Sequence, residues 1–225
     1  MTATLPNRLT IAIAQMSQRV GDLAGNADAM LEMRARTDAD LIVFPELQLI
    51  GYPPEDLVLK PALAERATVE LARLAAATAG GGPAMLVGTI ERVDGKLYNI
   101  LALCEGGRVS ATTRKHELPN YGTFDEKRIF TAGPLPEPVE FKGVKLGLPL
   151  CEDIWFPAVC DHLKQRGAEL LIAPHGSPYE IDKDDLRVEG VAALRVAETG
   201  LPLAFVNRVG EIGRASCRER VCSTV

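Results

Sequence analysis

What this 225-residue chain does without narrows its function before any motif is considered. It has no long apolar run, so it offers no membrane-spanning segment, and its start does not read as a signal peptide. It has no basic stripe either: the formal net charge is -5 and the basic residues are scattered, which leaves no field to draw in nucleic acid. A disulfide framework is missing as well. Cysteines 104, 151, 160, 217 and 222 are odd in number and irregular in spacing, which fits a reducing cytoplasm. Three ligand motifs fail on inspection. Gly80, Gly81 and Gly82 follow a helix pattern and bring no lysine, so they read as a C-cap turn and not as a phosphate loop. Residues 182–185 are acidic but lack the glycine and terminal glutamate of a calcium loop. Cys217 and Cys222 have no further ligands close by, the nearest combination being Cys160 with His162 far upstream, so no metal site is expected.

What remains is an ordinary composition, 47% hydrophobic and 24% charged, sufficient for one soluble domain with a sizeable core. Apolar runs alternate with helical patterns. Strands are expected at 8–15, 41–44, 84–92, 97–104, 108–113, 144–150, 170–173 and 203–206, and helices at 27–36, 61–79, 156–166 and 186–199. Asp94-Gly95 between two apolar runs is a strong hairpin signal. Several runs are continuous rather than alternating, as in strands covered on both faces, so the fold class is α/β with a sheet covered by helices. Beyond Gly210 the pattern stops. Residues 211–225 crowd three arginines and two cysteines without periodicity and are expected to be a foreign or misread tail.

The chemistry gathers at strand ends. The run from Val144 closes on Cys151, followed at once by Glu152, Asp153, Ile154 and the only tryptophan, Trp155. A thiol reacts as thiolate, and two adjacent acids would raise its pKa, so a catalytic Cys151 needs a cation and a base from elsewhere. Glu46 follows the buried run 41–44 and Pro45, and is a candidate base. Lys115 follows the run 108–113 and is a candidate cation. The alternatives are plain: a small apolar cysteine, a solvated acid and a solvated lysine. Yet the three together supply nucleophile, proton shuttle and electrostatic clamp, which suffices for acyl transfer from an amide without a metal. Tyr121, Phe124 and Glu126 are expected to face one cavity, and Glu152 either pairs with a substrate ammonium or caps the following helix.

These residues resemble the carbon-nitrogen hydrolases of the nitrilase superfamily, whose Glu-Lys-Cys triad matches Glu46, Lys115 and Cys151 in chain order. The local words from Phe44 to Leu47, Gly51 to Leu57, Lys115 to Arg128 and Cys151 to Trp155 resemble the glutaminase domains of glutamine-dependent NAD synthetases, over about residues 9–210. The resemblance implies a four-layer αββα sandwich, here truncated at its C-terminal side. It implies that Glu46 takes the thiol proton, that Lys115 and the backbone N–H of Glu152 hold the oxyanion, and that Tyr121, Ser177 and Lys183 contact glutamine while Phe124 shapes the pocket. Glu126 matches a second glutamate that orients the lysine. The glutaminase reaction needs no cofactor. The family's second domain, which uses ATP and Mg to amidate nicotinic acid adenine dinucleotide with the released ammonia, is not in this sequence, and a homo-oligomer is expected. Three other readings stay open: a free-standing amidase or ω-amidase, a noncatalytic interaction subunit, and a Cys-His-Asp hydrolase using His116 or His175.

Overall fold

The protein is represented by a computed structural model in which residues 8–178 and 183–210 are described, together with the backbone of 223–224. Two five-stranded sheets make its centre. The first carries β1 (Ile11–Ile13), β2 (Leu41–Val43), β3 (Ala84–Val93), β4 (Lys96–Glu105) and β5 (Arg108–Arg114) in that spatial order. Its first two pairings are parallel and its last two antiparallel. The second sheet holds β6 (Val139–Phe141), β7 (Val144–Gly147), β8 (Leu170–His175), β9 (Leu203–Asn207) and β10 (Ser223–Thr224), ordered β10-β9-β8-β7-β6. Residues 211–222 and 225 of the expected foreign tail lie outside the described residues, whereas Ser223–Thr224 pairs antiparallel with β9.

The continuous apolar runs turn out to serve two layers at once. Along β2, Leu41 and Val43 face the opposite sheet while Ile42 faces the helices, and along β3 Ala84 and Leu86 alternate with Met85 and Val87 in the same way. Period-two geometry splits each run between two cores. The central core joins Leu86, Leu101 and Leu103 of the first sheet to Leu146, Ile172 and Val206 of the second. Outside the first sheet, Met30 of α1 (Leu23–Ala35) and Leu74 of α2 (Pro61–Ala76) pack on Met85 and Val87. Beyond the short α3 (Glu126–Ile129), α4 (Pro157–Gln165) brings Val159 and Leu163 onto Leu171 and Ala173 of the second sheet. The order is helix, sheet, sheet, helix, the αββα sandwich.

Local chemistry sets the boundaries, sometimes against the expectation. Helix α1 starts at Leu23 and not at 27, because the Asp22 side chain accepts from Gly25 N and caps four residues earlier than the apolar spacing indicates. Asp94 and Gly95 both have positive φ (49° and 77°), the two-residue hairpin geometry that the sequence signalled. The strand expected at 8–15 is ordered in β-structure only at Ile11–Ile13, and that at 170–173 extends to His175. The single helix expected at 186–199 is instead a composite: α5 (Lys183–Asp185), a π-helical stretch over Leu186–Ala192, then α6 (Ala193–Thr199).

Candidate functional site

Three chain segments leave the sheets and converge. Glu46 lies in the turn after β2, and Gly88 of β3 makes room for that turn, since a Cβ there would sit 2.5 Å from Pro45 O and Leu47 N. Lys115 follows β5 directly, its N–H held by Asn99 O at 2.9 Å. Cys151 is displaced further than expected: β7 ends at Gly147, and the cysteine opens a 3-10 turn, Cys151–Trp155, with a φ of 50°. A left-handed backbone at a non-glycine residue costs on the order of 1 kcal/mol and concentrates at functional positions. The backbone turns sharply there, at the first residue of the 3-10 turn.

The side chains meet in the interior. Lys115 Nζ donates to Glu46 Oε1 at 2.8 Å and to Glu126 Oε2 at 2.7 Å. Glu46 also accepts from Asn99 Nδ2 at 2.8 Å and from Gly176 N at 2.9 Å, and its charge acts on the neighbouring Cys151 thiol. Tyr52 Oη donates to Glu126 Oε1 at 2.9 Å. Glu46 is 0% exposed, Lys115 1% and Cys151 4%, so neither a solvated acid nor a solvated lysine describes this arrangement. Gly176 is required where it stands, because a Cβ would come within 3.0 Å of Glu46 Oε2 and 2.8 Å of the Tyr52 ring.

Burial and pairing set the protons. Burial pushes the Glu46 carboxyl up, but the Lys115 ammonium outweighs it and holds the group below its usual range. Burial also opposes the charge on Lys115, and here Glu126 and Glu46 prevail and keep it protonated. Glu126, though on the same ammonium, is pushed up to about 7 by burial, with the Glu46 charge adding to it. Cys151 is driven well above the ordinary thiol range by burial and by the Glu46 charge, with Lys115 compensating in part. The resting pair is therefore a neutral thiol beside a carboxylate, not a preformed thiolate.

Around this cluster is a rim. Glu152 accepts from Tyr121 Oη at 2.9 Å, the Tyr121 and Phe124 rings meet edge to face at 5.5 Å, and Lys183 Nζ lies 5.8 Å over the Phe124 ring. Glu152 does not cap the following helix, whose N-cap Phe156 has no side-chain cap; Asp153 instead closes the 3-10 turn, accepting from Leu150 N at 3.0 Å. Ser177 is clamped through its backbone by Asn207 and accepts through Oγ from Arg187 Nε and Nη2 at 3.2 and 3.0 Å. Tyr121 is 54% exposed at the rim, whereas Glu126 turns inward to Lys115.

Sequence reasoning missed Tyr52, Asn99, Gly176 and Asp153 as parts of this arrangement. Only the buried polar Asn99 inside an otherwise apolar strand gave a signal. The Nδ1 of each candidate histidine meets a backbone carbonyl: His175 Nδ1 lies 2.9 Å from Ala173 O, and burial lowers its pKa to about 4, while His116 Nδ1 lies 2.8 Å from Gly133 O. Among the described residues, no group of three or more His, Cys, Asp or Glu could hold a metal ion, and no helix is long and apolar enough to cross a membrane.

Comparison with known proteins places the arrangement. A glutamine-dependent NAD(+) synthetase of Rhodobacter capsulatus is 44% identical over 92% of this chain and 38% of its own length. The structure of glutamine-dependent NAD+ synthetase from Acinetobacter baumannii in complex with ADP superposes with a TM-score of 0.81 at 34% identity, covering 90% of this chain and 38% of that one. A mutant amidase from Nesterenkonia sp. AN1, showing covalent addition of the acetamide moiety of fluoroacetamide at the active site cysteine, superposes with a TM-score of 0.79 at 26% identity, covering 93% and 80%. The chain thus spans about two fifths of the synthetases it matches. The Carbon-nitrogen hydrolase family matches residues 10–223, nearly the whole chain, and the chain belongs to that family.

Proposed function

We propose that this chain is a glutaminase unit, releasing ammonia from glutamine through a thioester on Cys151. The observation that carries the reading is the buried contact of Lys115 Nζ with Glu46 at 2.8 Å beside the Cys151 thiol. Glu46 takes the thiol proton as Sγ attacks the side-chain carboxamide carbon. The oxyanion is held by the Lys115 ammonium and the Glu152 N–H. The proton passes from Glu46 to the amide nitrogen, the C–N bond breaks and ammonia leaves. Water, deprotonated by Glu46, then cleaves the γ-glutamyl thioester to glutamate and restores the thiol. Since burial and the Glu46 charge keep the thiol neutral, proton transfer accompanies attack.

Glu126 shares the ammonium with Glu46 and orients it. At the rim, Glu152 with Tyr121 offers a negative site for the α-ammonium, Ser177 and Lys183 offer donors to the α-carboxylate, and Phe124 shapes the space between. The ammonia is proposed to serve an ATP- and Mg-dependent amidation of nicotinic acid adenine dinucleotide carried by a synthetase domain of a longer protein. That reading is supported by the names of the relatives, by the ADP complex and by the fraction of their length this chain spans. The free thiols of Cys104, Cys151 and Cys160 fit a reducing cytoplasm.

A free-standing amidase is the second reading, favoured by the 80% of the Nesterenkonia amidase that this chain covers. Ammonia release from glutamine and from a simple aliphatic amide separates the two. A glutaminase prefers glutamine by at least ~100-fold in kcat/KM, as expected where a site pairs both charges of its substrate; equal rates favour the amidase.

A further inference from the structure

Asp153 makes contacts that the proposed reaction does not use. It is 0% exposed, and its two oxygens serve two different loops. Oδ2 accepts from Leu150 N at 3.0 Å, closing the 3-10 turn that begins at Cys151. Oδ1 accepts from His116 N at 3.1 Å and Glu117 N at 2.7 Å, the two peptide N–H groups immediately after Lys115. A buried carboxylate is costly unless its lone pairs are filled, and three backbone donors fill them here. One side chain thus ties the Lys115 loop to the turn that presents the thiol. Burial raises the Asp153 carboxyl to about 6, so the clasp is charged at neutral pH.

We propose that Asp153 is a positioning residue: by joining the peptide after Lys115 to the Cys151 turn, it sets the ammonium at the distance from the sulfur that a developing oxyanion requires. The proposal rests on the glutaminase reading and deepens it. Asparagine keeps the size of Asp153 but presents an amide NH2, a donor, where one acceptor oxygen stood, so it can serve the Lys115 loop or the Leu150 cap and not both. The separation of ammonium and thiol then relaxes. A displacement near 1 Å at a reacting centre lowers rates by roughly 100-fold.

Two thiol reagents test this on the chain itself. A glutamine-shaped chloroketone forms an oxyanion as it alkylates Cys151 and needs Lys115 in place; a small methyl thiosulfonate forms none. Asp153→Asn is expected to slow the chloroketone ~100-fold, to leave the thiosulfonate rate within about 3-fold, and to lower kcat for glutamine with KM nearly unchanged. Equal slowing with both reagents, or wild-type rates with both, overturns the proposal. If the variant fails to fold, amide exchange of the wild-type chain decides. The His116 and Glu117 N–H groups must be protected as strongly as that of Leu150, and fast exchange at the first two contradicts the clasp. Failure of the wild type to be labelled at Cys151 overturns the glutaminase reading instead, and the exchange measurement still judges the clasp.

Discussion

Two regions of the site differ in almost every physical respect. The interior cluster of Glu46, Lys115, Glu126 and Cys151 is buried and held by contacts of 2.7–2.9 Å from at least four elements. At the rim Tyr121 is 54% exposed and is linked by ring contacts at 5.5 and 5.8 Å and by its phenol on Glu152, while Glu152, Ser177 and Lys183 behind it are buried. Desolvation makes each charge of the interior depend strongly on its neighbours, so chemistry belongs there. The outer edge at Tyr121, open to water, is suited to choosing what enters.

The comparison breaks most visibly at the sulfur. Cys151→Ala should remove ammonia release from glutamine by ~10⁴-fold or more while glutamine binding, read by calorimetry, persists. Glu46→Gln comes next, with kcat down ~10²–10⁴-fold because the base is gone while the shape remains. Ammonia assays on that variant at equal glutamine occupancy check it, and a change confined to KM would move Glu46 to the rim class.

A subtler division lies inside the cluster. Glu126 keeps its proton to about 7 in the folded chain but releases it near 4.5 when unfolded. A raised carboxyl pKa means the folded form binds more protons across that window, so stability falls as pH rises from 4.5 to 7 and is level above. Glu126→Gln removes this slope. Denaturant titrations at pH 5 and pH 7 should show the variant gaining on the wild type by on the order of 2 kcal/mol at the higher pH. Smallest of all, Tyr121→Phe deletes one hydrogen bond at a half-exposed position, raising KM for glutamine less than ~10-fold with kcat unchanged. A loss of kcat there would erase the distinction between interior and rim.

Much of the interior was legible because the strands are. The buried runs at 41–44 and 108–113 and the run closing on Cys151 announce where the chain leaves a sheet, and α/β sheets collect function at such ends. What the residues around Cys151 do not reveal is that the thiol stands four residues past β7 on a left-handed backbone, because that bend is imposed by the Asp153 cap and by tertiary packing. Tyr52, Asn99 and Gly176 were hidden for a different reason. Their roles are contacts across 53 to 130 positions of sequence, and no local pattern encodes a partner that distant. The π-helical stretch over Leu186–Ala192 was unreadable too, since its apolar spacing is close to that of an α-helix.

The central claim is that the buried sulfur carries the acyl group of glutamine. Acid-quenched incubation of the chain with glutamine, followed by peptide mass mapping, tests it most directly. A γ-glutamyl thioester confined to Cys151 and missing from Cys151→Ala is the result predicted. Ammonia released at equal rates by both chains, or an adduct borne by Cys104 or Cys160 in place of Cys151, would contradict it.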